Sequence, residues 1–352
     1  MADSDAPARE PSEQQTRMFR EAAEAPDAVA RQLSKNHALV ARIATKLRGK
    51  KPRAVVTGAR GSSDHAATFA KYLIETRLGV ITSSIGLSIG SVYEAQADFR
   101  DTLFLAVSQS GKSPDLLASV EKAKSGGAFV VALVNNDQSP LASLAHDTVP
   151  LLAGPEKSVA ATKTYLTSVA AIAALVATWA GDDDLSAALA KLPEQMQAAW
   201  RMDWSEAVMR LTPARDLYTI GRGLGFGCAQ EAALKLKETC GLHAEAFSSA
   251  EVHHGPMALV KSGFPVLLLS QNDETRAGMT ELADSVIRTG ANLLVAGFEA
   301  PGALKLPTVS AHPAIEPILM AQSFYRMVNA LALARGLNPD HPPNLNKITE
   351  TI

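Results

Sequence analysis

The sequence predicts an α/β protein of two tandem doubly wound parallel sheets, each a three-layer αβα unit. Three observations carry that expectation. From about Arg53 onward, short β-branched runs alternate with helix-length stretches, the pattern of a parallel sheet with crossover helices. Runs such as Leu103-Phe104-Leu105-Ala106-Val107 are apolar without interruption, as strands buried on both faces require. The pattern then starts again in the second half, in register with the first, which indicates a duplicated unit. A chain of 352 residues fits two domains of ordinary size.

In the first unit the strand candidates are Ala54 to Thr57, Val80 to Ser83, Thr102 to Val107, Ala128 to Val134 and Thr148 to Leu152. In the second they are Leu217 to Ile220, Val266 to Leu269, Leu293 to Ala296 and Thr308 to Ser310. Three junctions match between the halves. Ser108-Gln109-Ser110-Gly111-Lys112-Ser113 corresponds to Ser270-Gln271-Asn272-Asp273-Glu274-Thr275, Ser125-Gly126-Gly127-Ala128 to Arg288-Thr289-Gly290-Ala291, and Gly58-Ala59-Arg60-Gly61 to Gly221-Arg222-Gly223. Between the units, Tyr165 to Ala180 is Ala-rich, carries Thr and Ser, and falls short of the roughly 20 residues of a bilayer span, so it reads as a buried helix. The acidic Gly181 to Asp184 then makes a linker. The expected division is a tail and helical arm over 1–48, a first unit over 49–181, a linker and helix over 182–204, a second unit over 205–336 and a tail over 337–352.

Composition narrows the function classes. With 47% hydrophobic and 20% charged residues the chain is globular, and a net charge of −2 offers no basic field for nucleic acid. Only Cys228 and Cys240 occur, in no metal-ligand spacing, so neither a disulfide framework nor a zinc site has material, and a reducing cytoplasm is expected. Met1 to Gln15 is polar, without the apolar core of a signal peptide, and is expected to be a loose tail. No membrane partner is expected.

In open parallel sheets, ligands bind at the carboxyl ends of the strands, where helix N-termini present unpaired N–H groups. Two loops fall there in the first unit, Gly61-Ser62-Ser63 and Ser108 to Ser113. Small hydroxyl residues let a phosphate approach the backbone and donate to its oxygens. Such serines can also be plain helix caps, but two such loops in one sheet favour a phosphate. Gly111-Lys112-Ser113 is not a nucleotide P-loop, because Ala106 stands where that pattern needs Gly, and Phe226 stands at the third glycine of a dinucleotide fingerprint. Asp273 and Glu274 in the second unit would repel a phosphate, so that copy is expected to have lost phosphate binding.

Ala229 to Thr239 reads as a helix on which Glu231, Lys235 and Glu238 share one face. Spacing alone makes this a solvated stripe with a stabilising ion pair. Glu245, Glu251, His253 and His254 crowd the following segment up to Gly255-Pro256, and no metal-binding spacing is present. A His beside a carboxylate could instead move protons, as aldose–ketose isomerisation requires. His65 and His37 stand alone and read as cap or packing residues, and the stretch from His341 to Lys347 has no period and reads as a surface tail.

With these residues in hand, the chain resembles the sugar isomerase (SIS) family from Met18 to Lys347. The resemblance is to the isomerase half of glutamine–fructose-6-phosphate aminotransferases, and most of all to stand-alone SIS-type glucosamine-6-phosphate deaminases. It rests on Ser108-Gln109-Ser110-Gly111, Val159-Ala160-Ala161-Thr162-Lys163, Ala233-Leu234-Lys235-Leu236-Lys237-Glu238, His243-Ala244-Glu245-Ala246, His254-Gly255-Pro256 and Asn344-Leu345-Asn346-Lys347.

The resemblance implies that Ser63, Ser108, Gln109, Ser110 and Ser113, with Gly61, Ser62, Val159 and Ala161, hold a hexosamine 6-phosphate or fructose 6-phosphate. It implies that Glu238 moves the proton between C1 and C2 beside Lys235, that His254 opens the sugar ring from the neighbouring subunit of a homodimer, and that Lys347 forms a Schiff base with the open-chain ketose. No metal or other cofactor is implied. Ser113, Lys112, Ala161 and Pro343 depart from the aminotransferase pattern, where Thr, Glu, Ser and Arg stand, and so bear on sugar preference. Ala2 stands where the glutaminase nucleophile would be, and no glutaminase segment precedes the match, so ammonia release is the expected direction. The alternatives are galactosamine 6-phosphate or 6-phosphofructosamine as substrate, synthesis from free ammonia, and a non-catalytic sugar-phosphate sensor.

Overall fold

The computed structural model describes residues 13–347. Its strands are β1 (Ala54–Gly58), β2 (Ile81–Ser84), β3 (Thr102–Ser108), β4 (Phe129–Val134) and β5 (Asp147–Pro150), then β6 (Asp216–Gly221), β7 (His243–Ser248), β8 (Pro265–Leu269), β9 (Asn292–Ala296) and β10 (Leu304–Leu306). They form two five-stranded sheets, ordered β2-β1-β3-β4-β5 and β10-β9-β8-β6-β7. Every neighbouring pair is parallel. Numbered within each unit, the two orders are the same, so the duplication extends from sequence to topology. The strand order reverses between β1 and β3, and again between β6 and β8. At those points successive crossovers leave in opposite directions and open a crevice beyond the carboxyl ends.

Helices α1 (Arg17–Ala23) and α2 (Ala25–Gly49) precede the first sheet, and α3 (Ser62–Leu78), α4 (Ser88–Ser91), α5 (Pro114–Ser125) and α6 (Pro140–Leu144) surround it. The units are joined by α7 (Lys163–Ala180) and α8 (Asp183–Trp200), whose start is capped by the Asp182 side chain accepting from Leu185 N–H at 2.9 Å. In the second unit follow α9 (Ser205–Leu211), α10 (Phe226–Cys240), α11 (Ser249–Val252), α12 (Arg276–Arg288) and α13 (Glu316–Ala334).

Position in the sheet explains composition. The central strand β3 is buried at every residue, whereas the edge strand β2 buries only Thr82. Among the described residues one helix, α7, is long and apolar enough to cross a membrane, and it lies in the core instead. One apolar cluster runs through both units, joining Leu73, Val169, Leu236 and Phe324, while Phe104 and Val130 belong to a separate outer cluster of the first unit and Ile220 and Leu282 to one of the second. Facing helices of the two units thus share one core. Gly227 lets α10 approach α3 closely, since a Cβ there would sit 2.5 Å from the His65 carbonyl oxygen.

Some expectations are corrected. The last strand of the second sheet is β10, not Thr308 to Ser310: Leu304 and Leu306 face inward around exposed Lys305, and Pro307, which has no N–H, ends the ladder. Strand β7 has no counterpart among the strands expected from sequence, because an edge strand carrying His243 and Glu245 has no continuous apolar run. β5 stops at Pro150 because Leu152, with φ of 51°, has left the extended region. His37 is exposed on α2 and borders a cavity with Leu33, Val40 and Leu189. Of the polar N-terminal stretch, residues 1–12 lie outside the described residues, and Glu13–Gln15 form a 3₁₀ turn.

Candidate active site

The crevice at the β1/β3 reversal is built by two loops whose ends are helix N-termini. After β1, the chain passes through Gly61 into α3, and after β3 it passes through Ser108 to Ser113 into α5. The second loop is locked by its own side chains: Ser108 Oγ accepts the Gly111 N–H at 3.0 Å and Ser110 Oγ accepts the Lys112 N–H at 3.3 Å. Gly111 has φ of 65°, and a Cβ there would come within 2.2 Å of Ser139 Oγ, so only glycine fits.

The result is a cleft of about 360 Å³. Gly61, Ser62 and Ser63 line it from one loop and Ser108, Gln109, Ser110 and Ser113 from the other; Val159 and Ala161 close a third side, and Lys347 reaches in from the end of the described chain. Two helix N-termini and a set of hydroxyls facing one space suit an anion with several oxygens. Arg60, which sequence reasoning passed over, also lines the cleft. Its guanidinium is held by buried Asp115, with Nε at 2.9 Å and an NH₂ group at 2.7 Å from the same oxygen.

Lys347 is not on a surface tail. Its Nζ donates to the Ser158 carbonyl at 2.6 Å and lies 3.8 Å from a carboxylate oxygen of Glu156. That carboxylate is buried and accepts from Thr162 N–H at 3.0 Å, Thr164 N–H at 3.1 Å and Thr164 Oγ1 at 2.6 Å. Sequence reading could locate neither contact, because the loop and the lysine meet only through the fold.

Behind the cleft lies a buried chain of charges on α10. The expected solvated stripe is corrected here, since the side chains of Glu231 and Lys235 are each 1% exposed, sealed beneath α3 and α13. Glu231 accepts from Tyr325 OH at 2.8 Å, from Ser62 Oγ at 3.2 Å and from His65 Nδ1 at 3.0 Å, and faces Lys235 Nζ at 3.5 Å. Lys235 also pairs with Glu238. His65 therefore does not stand alone; it ties the first unit to this carboxylate. Burial would raise the Glu231 pKa, but Lys235, His65 and Tyr325 outweigh it and hold the carboxyl below its ordinary value. Burial likewise opposes the charge on Lys235, and Glu231 and Glu238 overcome it, leaving the ammonium above its ordinary value.

Ser62 belongs both to the cleft wall and to this network, so the chain of charges starts at the cleft. Lys235 and Glu238 themselves do not line it. His254 is exposed on the turn after α11 and is not brought to the cleft of its own chain. Among the described residues no group of three or more His, Cys, Asp or Glu is placed to hold a metal. Both cysteines are buried, and burial pushes the Cys240 thiol up to about 12.

The corresponding loop of the second unit closes on itself. Asp273 accepts from the Thr275 N–H at 2.9 Å and from Gln271 Nε2 at 2.8 Å, and Gln271 also donates to the Arg222 carbonyl at 2.9 Å.

Comparison with known proteins agrees with this architecture. The sequence pattern of the SIS domain matches residues 46–178 and 210–295. The glutamine–fructose-6-phosphate aminotransferase (isomerizing) of Pyrococcus horikoshii is 33% identical over 313 residues, covering 85% of this chain and 52% of that protein. The chain thus spans about half the length of the curated relatives it matches. The crystal structure of a candidate phosphosugar isomerase from Silicibacter pomeroyi is similar at a TM-score of 0.89 and 47% identity, covering 92% of this chain and all of that one. Glucosamine-6-phosphate deaminase from Thermotoga maritima superposes at a TM-score of 0.76 over 96% of this chain and all of its own, with 21% identity, and shares the fold.

Proposed function

The chain belongs to the SIS domain family, and on that footing we propose that it is an isomerising glucosamine-6-phosphate deaminase, converting glucosamine 6-phosphate and water into fructose 6-phosphate and ammonia. The observation that carries this reading is the meeting, in one cleft, of the hydroxyl loops with the amine of Lys347, backed by the Glu231–Lys235–Glu238 chain. Plain aldose–ketose isomerisation needs no lysine. Transimination at C2 uses one.

In this reading Gly61 to Ser63 and Ser108 to Ser113 hold the phosphate, and Arg60 adds positive charge at its edge. His254 from a second copy of the chain opens the pyranose. Glu238, which stands behind the cleft and keeps 20% of its side chain exposed, takes the C2 proton once the open-chain sugar extends to it, and the enolamine is reprotonated at C1, leaving an imine at C2. The Lys347 amine adds to that imine, ammonia leaves, and water hydrolyses the lysine imine to release fructose 6-phosphate and the free amine. These steps use no metal or organic cofactor.

Incubation with glucosamine 6-phosphate in the absence of glutamine should yield ammonia and fructose 6-phosphate in equal amounts. Glu238→Gln should abolish turnover and spare phosphate binding; retained turnover sinks its assigned role. Turnover of galactosamine 6-phosphate or 6-phosphofructosamine alone would reassign the substrate, and binding of every sugar phosphate without turnover would make the protein a sensor.

A further inference from the structure

Resting on that reading of Lys347, we propose that the N-terminal segment from Thr16 to Glu24 is a clamp that sets the lysine in the cleft, with Glu21 as its positioning residue. The segment grips two parts of the chain at once. On one side it holds the approach to the C-terminal tail: the Asp340 carboxylate accepts the first two N–H groups of α1, Arg17 at 2.7 Å and Met18 at 2.8 Å. Thr16 Oγ1 donates to Asn329 at 2.7 Å, and the Ala22 carbonyl accepts from Gln322 at 2.9 Å, so α1 is itself fastened to α13.

On the other side the segment holds the loop on which the lysine rests. Glu21 is buried, and its two oxygens accept successive backbone N–H groups, Lys157 at 2.5 Å and Ser158 at 3.1 Å. Glu24 adds a second grip by pairing with buried Lys163 at 2.6 Å, and Lys163 also donates to the Pro155 carbonyl at 3.0 Å. Ser158 is therefore held at its N–H by Glu21, and its carbonyl holds Lys347 Nζ at 2.6 Å. The stretch from Asp340 to Lys347 could, if extended, reach roughly 24 Å, so the Asp340 anchor alone leaves the amine far from fixed. The bond to Ser158 completes the placement, and Glu21 decides where Ser158 sits. Glutamine at this position would offer one acceptor where two N–H groups converge and would set its own NH₂ against the other.

The test uses the full chain and fructose 6-phosphate, with borohydride reduction and mass spectrometry to count the adduct on Lys347. Glu21→Gln should slow adduct formation, and lower kcat for glucosamine 6-phosphate, on the order of tenfold or more, with KM and inorganic phosphate affinity within about twofold. Glu21→Asp, which keeps two oxygens, should recover part of the loss. Should Glu21→Gln fail to fold, Asp340→Asn reads the other end of the clamp and is expected to slow trapping in the same way. Trapping at the wild-type rate in these variants overturns the clamp, as does an equal loss of phosphate affinity, which would mark a general structural role. A wild-type chain that cannot be trapped at all overturns the lysine assignment and the clamp with it, a result distinct from the other two.

Discussion

Replacing Glu231 with Gln removes one charge from the most deeply buried part of the site and changes almost no volume, so no cavity contributes to the outcome. What remains is Lys235, 1% exposed, with Glu238 as its surviving partner, itself 20% exposed. Breaking a fully buried pair costs about 3–5 kcal/mol, and the surviving carboxylate places the expected loss at the lower end, about 3 kcal/mol. The amide must also set an NH₂ against one of the donors that now converge on the carboxylate from Ser62, His65 and Tyr325. For a chain of 352 residues the melting temperature should fall by roughly 4 °C at pH 7. The pH dependence follows from the directions of the shifts. Glu231 is held below its ordinary 4.5, so its contribution is present above that value and is lost as pH falls through the lower folded one. Lys235 is held above 10.5, so its contribution is complete below that value and is lost as pH rises through the higher folded one. Calorimetry should therefore show a gap between wild type and Glu231→Gln that is constant through the neutral range and narrows below about pH 4.5. A variant as stable as wild type at pH 7, or a gap that widens on acidification, would refute the buried-pair account.

Other perturbations separate the parts of the site. Gly111→Ala forces a Cβ into Ser139 and a left-handed backbone, and should weaken inorganic phosphate binding on the order of tenfold or more with a loss of stability of about 1–3 kcal/mol, read by calorimetric titration and denaturant melts. Arg60→Ala should raise KM for the sugar phosphate with little change in kcat, because the guanidinium is placed to hold charge and not to move a proton; an unchanged KM would remove it from the phosphate site. His254→Asn, at an exposed position, should leave the melting temperature within about 1 °C of wild type while lowering turnover. Mixing that variant with Glu238→Gln should restore part of the activity if the histidine serves the partner copy, and no restoration in samples whose subunits have exchanged would remove that role from His254.

Much of the fold is legible in one dimension, because a strand buried on both faces can only be apolar: β1, β3, β4, β8 and β9 announce themselves through runs such as Leu103 to Val107. Edge strands escape that logic. β7 and β10 keep a solvated side, carry His243, Glu245 and Lys305, and so lack the signal. The loops of the cleft are equally legible as runs of small residues at strand ends, whereas the need for glycine at position 111 comes from its positive φ and from Ser139, which only the fold brings close.

The sequence alone thus determined the two-unit plan, the position of the hydroxyl loops and the spacing of Glu231, Lys235 and Glu238 along one helix face. It could not determine whether that face meets water or protein, and spacing alone favours the solvated reading. Only the tertiary structure decided it, by laying α3 and α13 over α10 so that His65 and Tyr325 reach Glu231. The same holds for Lys347, which no local pattern distinguishes from a surface lysine. Its environment is made of Ser158 and Glu156, and a contact across 189 positions in sequence exists only once the intervening chain has folded. Helix periodicity is a property of neighbouring residues, whereas burial of a charge depends on what another element places above it.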